Sequence, residues 1–342
     1  MTIGDYIEIL VKIVILFGVF LTGFAYLTLF ERRVLAFIQT RVGPNRVGPG
    51  GFLQPAADGL KLLFKEDLIP EKADRFLFVM APIAVVVTAL MSVAIVPFGP
   101  PIELFGRTVT LQLVDINVAV LFFLGMGSLG VYGVVLAGWA SNNKYALIGG
   151  LRASSQMISY ELGMGLAVLG VIMLSGSLSM VDIINAQADG RWFIFLQPLG
   201  FIIFCITMVA ETKRAPFDLP EAEQELVAGF HTEYSGMKFS MFYMGEYISM
   251  IVISAIASTL YLGGWRGPFA EQIPLLGPLY LFLKTMVFLF VFVWLRASFP
   301  RLRYDRLMDI GWKILLPLSV LNLVITAIAI VASDTGFFGL FG

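Results

Sequence analysis

Three carboxylates sit where a bilayer resists charge. Glu161, Glu211 and Glu246 fall inside or at the edge of long apolar runs, where a charged side chain costs about 2.5–3.5 kcal/mol on insertion scales. No comparable number of Lys or Arg lies inside those runs to pair with them. Interhelical hydrogen bonding is one use for such groups. The other is a proton path, because a carboxylate in a poorly polarisable interior exchanges protons near neutral pH; this second reading is favoured. Glu246 lies about two helical turns inside its run, with Tyr243, Tyr247, Ser254 and Ser258 spaced to share its face. Glu161 opens a run beside Ser159 and Tyr160, and Glu211 closes another. The loop ahead of Glu246 gathers four more acids, Glu221, Glu223, Glu225 and Glu233, interleaved with Phe217, Leu219, Leu226, Val227 and Phe230. That mixture predicts a folded, partly buried loop. Glu8 and Lys12 read as an i,i+4 pair. Asp115 and Lys284 stay open between an interfacial and a functional reading.

Other chemistries are excluded by composition. With one cysteine, Cys205, and one histidine, His231, the chain cannot alone supply the roughly four ligands of an iron–sulfur cluster. A bis-histidine haem and a Cys/His zinc site fail likewise, and His231 reads as a hydrogen-bonding loop residue. Gly125, Gly127 and Gly130 match GxGxxG, but the match sits inside an apolar helix with no strand before it. Small residues that let helices approach closely explain it better, as they do Gly163, Gly165 and Gly170. The stretch from Gly43 to Gly48 begins like a phosphate loop, yet Pro49 and Gly50 stand where Lys and Ser/Thr are required.

The elements that must carry these residues are membrane spans. Of 342 residues 58% are hydrophobic and 14% charged, with a net charge of −1, far from the roughly 25% charged of a soluble domain. Eight runs approach the ~20 residues that cross a bilayer, at 7–30, 76–97, 113–139, 157–180, 193–211, 239–263, 277–297 and 310–332. The first lacks a basic start and a small-residue cleavage site, so it reads as a span and not a secretory signal. Most of the 23 Lys and Arg residues fall in the odd-numbered loops; Arg107, Arg191 and Arg266 alone occupy the even ones. The positive-inside rule then puts the odd loops in the cytoplasm and both termini on the other side. The expected fold is an all-α integral membrane protein, a single domain over 1–342. It has about eight transmembrane helices, an amphipathic interfacial helix near 51–66 on the cytoplasmic side, and a carboxylate-rich loop near 212–238.

Four blocks carry a resemblance: ERRVLAFIQTRVGPNRVG at 31–48, QPAADGLK at 54–61, AETKRAPFDLPEAEQELVAGFHTEYSG at 210–236 and FPRLRYD at 299–305. They resemble the H-type (subunit 8) membrane subunits of proton-pumping NADH:quinone oxidoreductase, respiratory complex I. The likeness runs along the whole chain. It implies an enzyme subunit without a redox centre of its own, forming much of the quinone chamber and coupling quinone reduction to proton translocation. Matched proton-path positions are Glu161, Glu211, Glu246, Glu221, Glu223, Glu225 and Glu233. Arg32, Arg33, Arg41 and Arg46 would shape the quinone entry, with Phe230, Tyr243 and Tyr247 lining the chamber. The resemblance implies a quinone as substrate, ubiquinone in preference to menaquinone, and no metal, flavin or nucleotide on this chain. Partners would be the other complex I subunits, flavin and iron–sulfur subunits among them, and membrane lipid, in a bacterial inner membrane. The alternatives are the equivalent subunit of an energy-converting hydrogenase and a stand-alone ion-coupled transporter.

Overall fold

A computed structural model describes residues 3–104, 107–188, 191–220, 223–270 and 272–334. The chain runs through α1 (Ile3–Ile38), a short α2 (Gln54–Leu63), α3 (Arg75–Val93), an antiparallel hairpin of β1 (Ile102–Leu104) and β2 (Arg107–Val109), α4 (Ala119–Ala140) and α5 (Lys144–Ser175). It continues with α6 (Met180–Ala186), α7 (Phe193–Leu196), α8 (Pro198–Glu211), α9 (Glu223–Leu226), α10 (Gly236–Tyr261), α11 (Leu276–Ser298), α12 (Tyr304–Asp309) and α13 (Leu316–Asp334). Among the described residues, α1, α3, α4, α5, α10, α11 and the unit from Tyr304 to Ala332 are long and apolar enough to cross a membrane. The all-α, multi-pass membrane fold is the one the hydropathy predicts.

One expected span differs. The run at 193–211 is broken into α7 and the 14-residue α8, which covers about 21 Å against a hydrocarbon core of about 30 Å. Pro198 has no amide proton and its ring crowds the preceding turn. The polar side chain at the break is absorbed by α13: Gln197 accepts from Asn322 Nδ2 at 2.9 Å and donates to Thr326 Oγ1 at 2.5 Å. Such bonds from a neighbouring helix make a broken helix tolerable in a bilayer.

Two other helices are longer than their apolar runs. α1 continues eight residues past 30, so Glu31 is helical and not the start of a loop. α5 starts at Lys144, where the Asn143 side chain accepts from Tyr145 N at 2.9 Å, an N-cap that satisfies one of the free donors at a helix start. Glu161 therefore lies in mid-helix. The polar stretch around Arg152 and Gln156 had masked that continuation, since hydropathy reports the lipid depth and not the helix length.

The α5 and α10 spans are about half buried within the chain (50% and 56%), whereas α1 and the last span bury only 17% and 22%. Close approach puts α3, α4 and α5 together. A Cβ on Gly133 would lie 2.5 Å from Val85 Cγ2, and one on Gly138 would lie 2.5 Å from the Ala146 carbonyl oxygen. Gly170 is likewise pressed against the Gln197 side chain, while Gly125 and Gly165 have open space where a Cβ would stand. The small-residue reading thus holds for part of these glycines, and mainly for ones outside the GxGxxG match.

Candidate functional site: a buried ion cluster beside a carboxylate-lined cavity

Helical spacing places Phe20, Phe24, Leu27 and Glu31 on one stripe of α1, and Phe20, Leu27 and Glu31 are all buried. The Glu31 carboxylate is only 3% exposed, so it needs donors. It receives three: Arg214 Nη1 at 3.2 Å, Tyr247 Oη at 2.6 Å and Arg296 Nη1. Arg214 also sets Nε 2.6 Å from Glu246 Oε1, an ion pair whose N–H is not aimed along the contact. Its guanidinium lies 4.3 Å above the Tyr247 ring. Burial opposes the charge on Arg214, but Glu246, Tyr247 and Glu31 outweigh it and hold the group well above its ordinary value. Two arginines and two glutamates, from α1, α10, α11 and the loop after α8, thus make a cluster whose formal charges cancel.

Glu246 faces a cavity of about 80 Å³, enough for several waters, between α3, α4, α5, α8 and α10. Its lining includes Glu211, Lys213, Thr88, Ser92, Ser249 and Phe230. Glu211 Oε2 is buried there with no hydrogen-bond partner among the described residues. Glu161, on α5, accepts from Ser128 of α4. Glu211 and Glu246 thus share one cavity, whereas Glu161 is not among its lining residues. The expected polar stripe of α10 does not extend: Ser254 and Ser258 turn their hydroxyls back to the carbonyls of Met250 and Ser254.

The acids of the loop are divided. Glu225 is exposed and clasped by Arg152 and Arg301, each at 2.6 Å; the Arg152 hydrogen bond, with help from Arg301 and Arg303, holds its carboxyl below the usual range. Glu233 accepts from Asn143 Nδ2 at 2.6 Å. Neither lines the cavity. Glu221 lies outside the described residues, and so does the side chain of Glu223. Phe230 lines the cavity and packs edge-on to Phe242 and His231. His231 is buried among Phe230, Phe239 and Tyr243. Burial and the Lys213 ammonium push its imidazole down to about 4, so it is an aromatic packing element that stays neutral. Tyr243 stands a turn from Tyr247.

Loop one is held by its arginines. Arg32 bonds Asp58 of α2 at 2.6 Å; Arg33 donates to the Gly50 carbonyl and lies 4.7 Å from the Phe52 ring centre. Arg41 donates to Gln39 Oε1, and both Arg41 and Arg46 are exposed. Leu60, Leu63 and Phe64 of α2 and its end present an exposed apolar edge. On the opposite side of the bundle, Lys284 donates to the carbonyls of Leu262, Gly264 and Arg266 at 2.6–2.8 Å, and Asp115 takes a 3.4 Å contact from Ser179 Oγ. Both residues left open by the sequence thus hold turns. Glu8 and Lys12 form the expected pair at 2.7 Å.

Glu31, Arg214 and Arg296 were not among the sequence-based candidates. Glu31, next to Arg32 and Arg33 just past the first apolar run, reads in the sequence as a boundary residue, although its place on the Phe20–Leu27 stripe is a usable signal. The pairing of Glu246 with Arg214 corrects the expectation that the intramembrane acids lack cationic partners. That expectation counted cations inside the apolar runs, whereas Arg214 reaches in from a loop.

A multi-span helical bundle with a cluster of opposite charges against a carboxylate-lined cavity defines an integral membrane protein with ionisable groups enclosed between its helices. Residues 11–327 match the family model described as NADH dehydrogenase. The chain is 55% identical over 317 residues to an H-type NADH-quinone oxidoreductase subunit of Geobacter metallireducens, covering 93% of this chain and 94% of that one. It is 54% identical over 323 residues to the corresponding subunit of Thermomicrobium roseum (92% and 93% covered) and 54% over 306 residues to that of Protochlamydia amoebophila (90% and 92%). The chain belongs to the family of H-type membrane subunits of NADH-quinone oxidoreductase.

Proposed function

We propose that this chain forms much of the quinone chamber of respiratory complex I and couples quinone reduction to proton translocation through its glutamates. The observation that carries this reading is the continuity from Tyr247 and Glu31 through Arg214 to Glu246 and the cavity where Glu211 Oε2 has no hydrogen-bond partner among the described residues. A quinone is the substrate. Arg32, Arg33, Arg41 and Arg46 shape its entry, and Phe230, Tyr243 and Tyr247 face its chamber. Glu246, Glu211 and Glu161 carry protons inward, with Glu221, Glu223, Glu225 and Glu233 forming the acidic loop at the mouth. Flavin and iron–sulfur subunits of the assembly deliver electrons. The basic face is cytoplasmic in a bacterial inner membrane, and α2 lies along the interface within a single membrane domain.

The coupling needs no direct contact. One negative charge on a reduced quinone about 10 Å from a carboxylate is worth about 1.7 kcal/mol at an effective dielectric near 20, roughly a 15-fold change in proton affinity. Glu246→Gln and Glu211→Gln are expected to lower quinone reduction and proton pumping in an assembled complex. NADH oxidation by an artificial acceptor that bypasses quinone should persist. Full coupled turnover in both variants sinks the reading.

A further inference from the structure

The four small residues of the GxGxxG match, Gly125, Gly127, Ser128 and Gly130, are neither a nucleotide loop nor chiefly a helix-packing face. Three of them have different neighbours. A Cβ on Gly127 would stand 3.3 Å from Glu211 Oε1, and one on Gly130 would stand 3.4 Å from Thr88 Oγ1. Ser128, between them, donates to Glu161. Gly125 faces open space outside the bundle. Gly127 and Gly130 both line the cavity that Glu211 and Glu246 share, and the buried Glu211 Oε2 has no hydrogen bond there among the described residues. The wall is largely apolar but carries Thr88, Ser92, Lys213 and Ser249 beside the two acids; a buried carboxylate oxygen in such a cavity, with room for water and polar groups to hold it, is a water-binding arrangement.

We infer that Gly127 and Gly130 are positioning residues: by lacking side chains they keep the cavity open, so that water bonds Glu211 Oε2 and connects it to Glu246. This rests on the function proposed above and names what makes that path wet. The step balances as a relay. One carboxyl O–H breaks as its proton passes to the first water; each water gives up a proton as it gains one; the last proton forms an O–H bond on the other carboxylate. No electron moves. Ser128 gives the same segment of α4 a hold on Glu161, so one helical turn touches both acids.

The size of the group at 127 is then the controlling variable. At 3.3 Å, alanine meets Oε1 in a tight contact that a small shift relieves, whereas the branched carbons of valine occupy the space of the water. Gly127→Val, Gly127→Ala and Gly130→Val are compared in the whole membrane complex, with Gly125→Val as the control on the outward face of the same helix. Assembly is checked by NADH oxidation with an artificial acceptor. Coupled quinone reduction should fall at least about tenfold in Gly127→Val, since a positioned proton transfer is worth about 10²–10⁴. It should fall less in Gly127→Ala and stay near the parent in Gly125→Val. The second readout is the infrared band of the Glu211 carboxyl group, identified by its absence in Glu211→Gln. It should shift in Gly127→Val because the bond to water is gone.

Unchanged turnover in assembled Gly127→Val, or lost turnover without a shift of that band, overturns the inference. An equal loss in Gly125→Val does so too, because the effect would then belong to the helix as a whole. Full activity in both Glu211→Gln and Glu246→Gln instead brings down the proposed function itself. A defective Glu211→Gln beside a normal Gly127→Val removes only the role of the glycine.

Discussion

Glu31 shows how much a single buried carboxylate can organise. Its three donors come from α10, α11 and the loop after α8, so removing it takes a carboxylate away from the buried Arg214 and from the more exposed Arg296 at once. Breaking a buried ion pair from one side costs about 3–5 kcal/mol. Glu31→Ala is therefore expected to lower the yield and melting temperature of the assembled complex sharply. Glu31→Gln keeps acceptor and shape and should lose less. Equal stability of Glu31→Ala and the parent would mean the cluster is not a structural clasp. The residues themselves were only half legible. Glu161, Glu211 and Glu246 stand out because hydropathy makes acids conspicuous in an apolar run. Arg214 and Arg296 do not, because a cation at the end of a run looks like a boundary marker until its partner is seen across the bundle.

At the scale of elements, hydropathy located the seven long helices and the shorter α8 but misplaced several ends, and three cases are instructive. α1 and α5 overrun their apolar stretches, and the fifth run breaks at Pro198. The reason is common to all three: apolar length measures the lipid, whereas helix ends are set by caps, prolines and neighbours. Close packing of α4 on α3 is similarly local. A Cβ on Gly133 meets Val85 Cγ2 at 2.5 Å and the Ala81 carbonyl oxygen at 3.1 Å, the second of which is backbone and cannot swing away. Overpacking of this kind costs about 1–3 kcal/mol. Gly133→Ala should consequently lower the thermal stability of the complex, despite the better helix propensity of alanine; a rise in melting temperature would show that α3 and α4 can separate.

For the whole molecule, the long loops of the basic side are bound into one face by charge. Glu225 joins loop five to Arg152 at the start of α5 and to Arg301 after α11. Lys238 ties the start of α10 to Asp67 behind α2 at 2.7 Å. The Arg152 bond holds Glu225 below its ordinary range, so the clasp contributes fully above the unperturbed carboxylate value of about 4.3. It is lost as pH falls below that, through the lowered value of Glu225. Hydrogen exchange at 223–226, corrected for intrinsic rates, should rise on acidification below about pH 4 and on raising salt, because exposed pairs are screened. Protection independent of both would point to burial as what orders the loop. None of this clasp is legible in the sequence, which shows the charges of three loops but not their meeting.

The far half of α10 has a different consequence. From Met250 to Tyr261 the helix is enclosed and almost wholly inaccessible, with the hydroxyls of Ser254, Ser258 and Thr259 each committed to a carbonyl one turn back. Beyond it, Lys284 saturates three carbonyls in a single stopper. The serine and threonine hydroxyls of this half are all taken up by the helix itself. On the function proposed above, a proton arriving at Glu246 would find its next oxygen sideways, toward Glu211 and α4, and not straight ahead along α10. On that reading the subunit is an elbow in the circuit and not a through-wire.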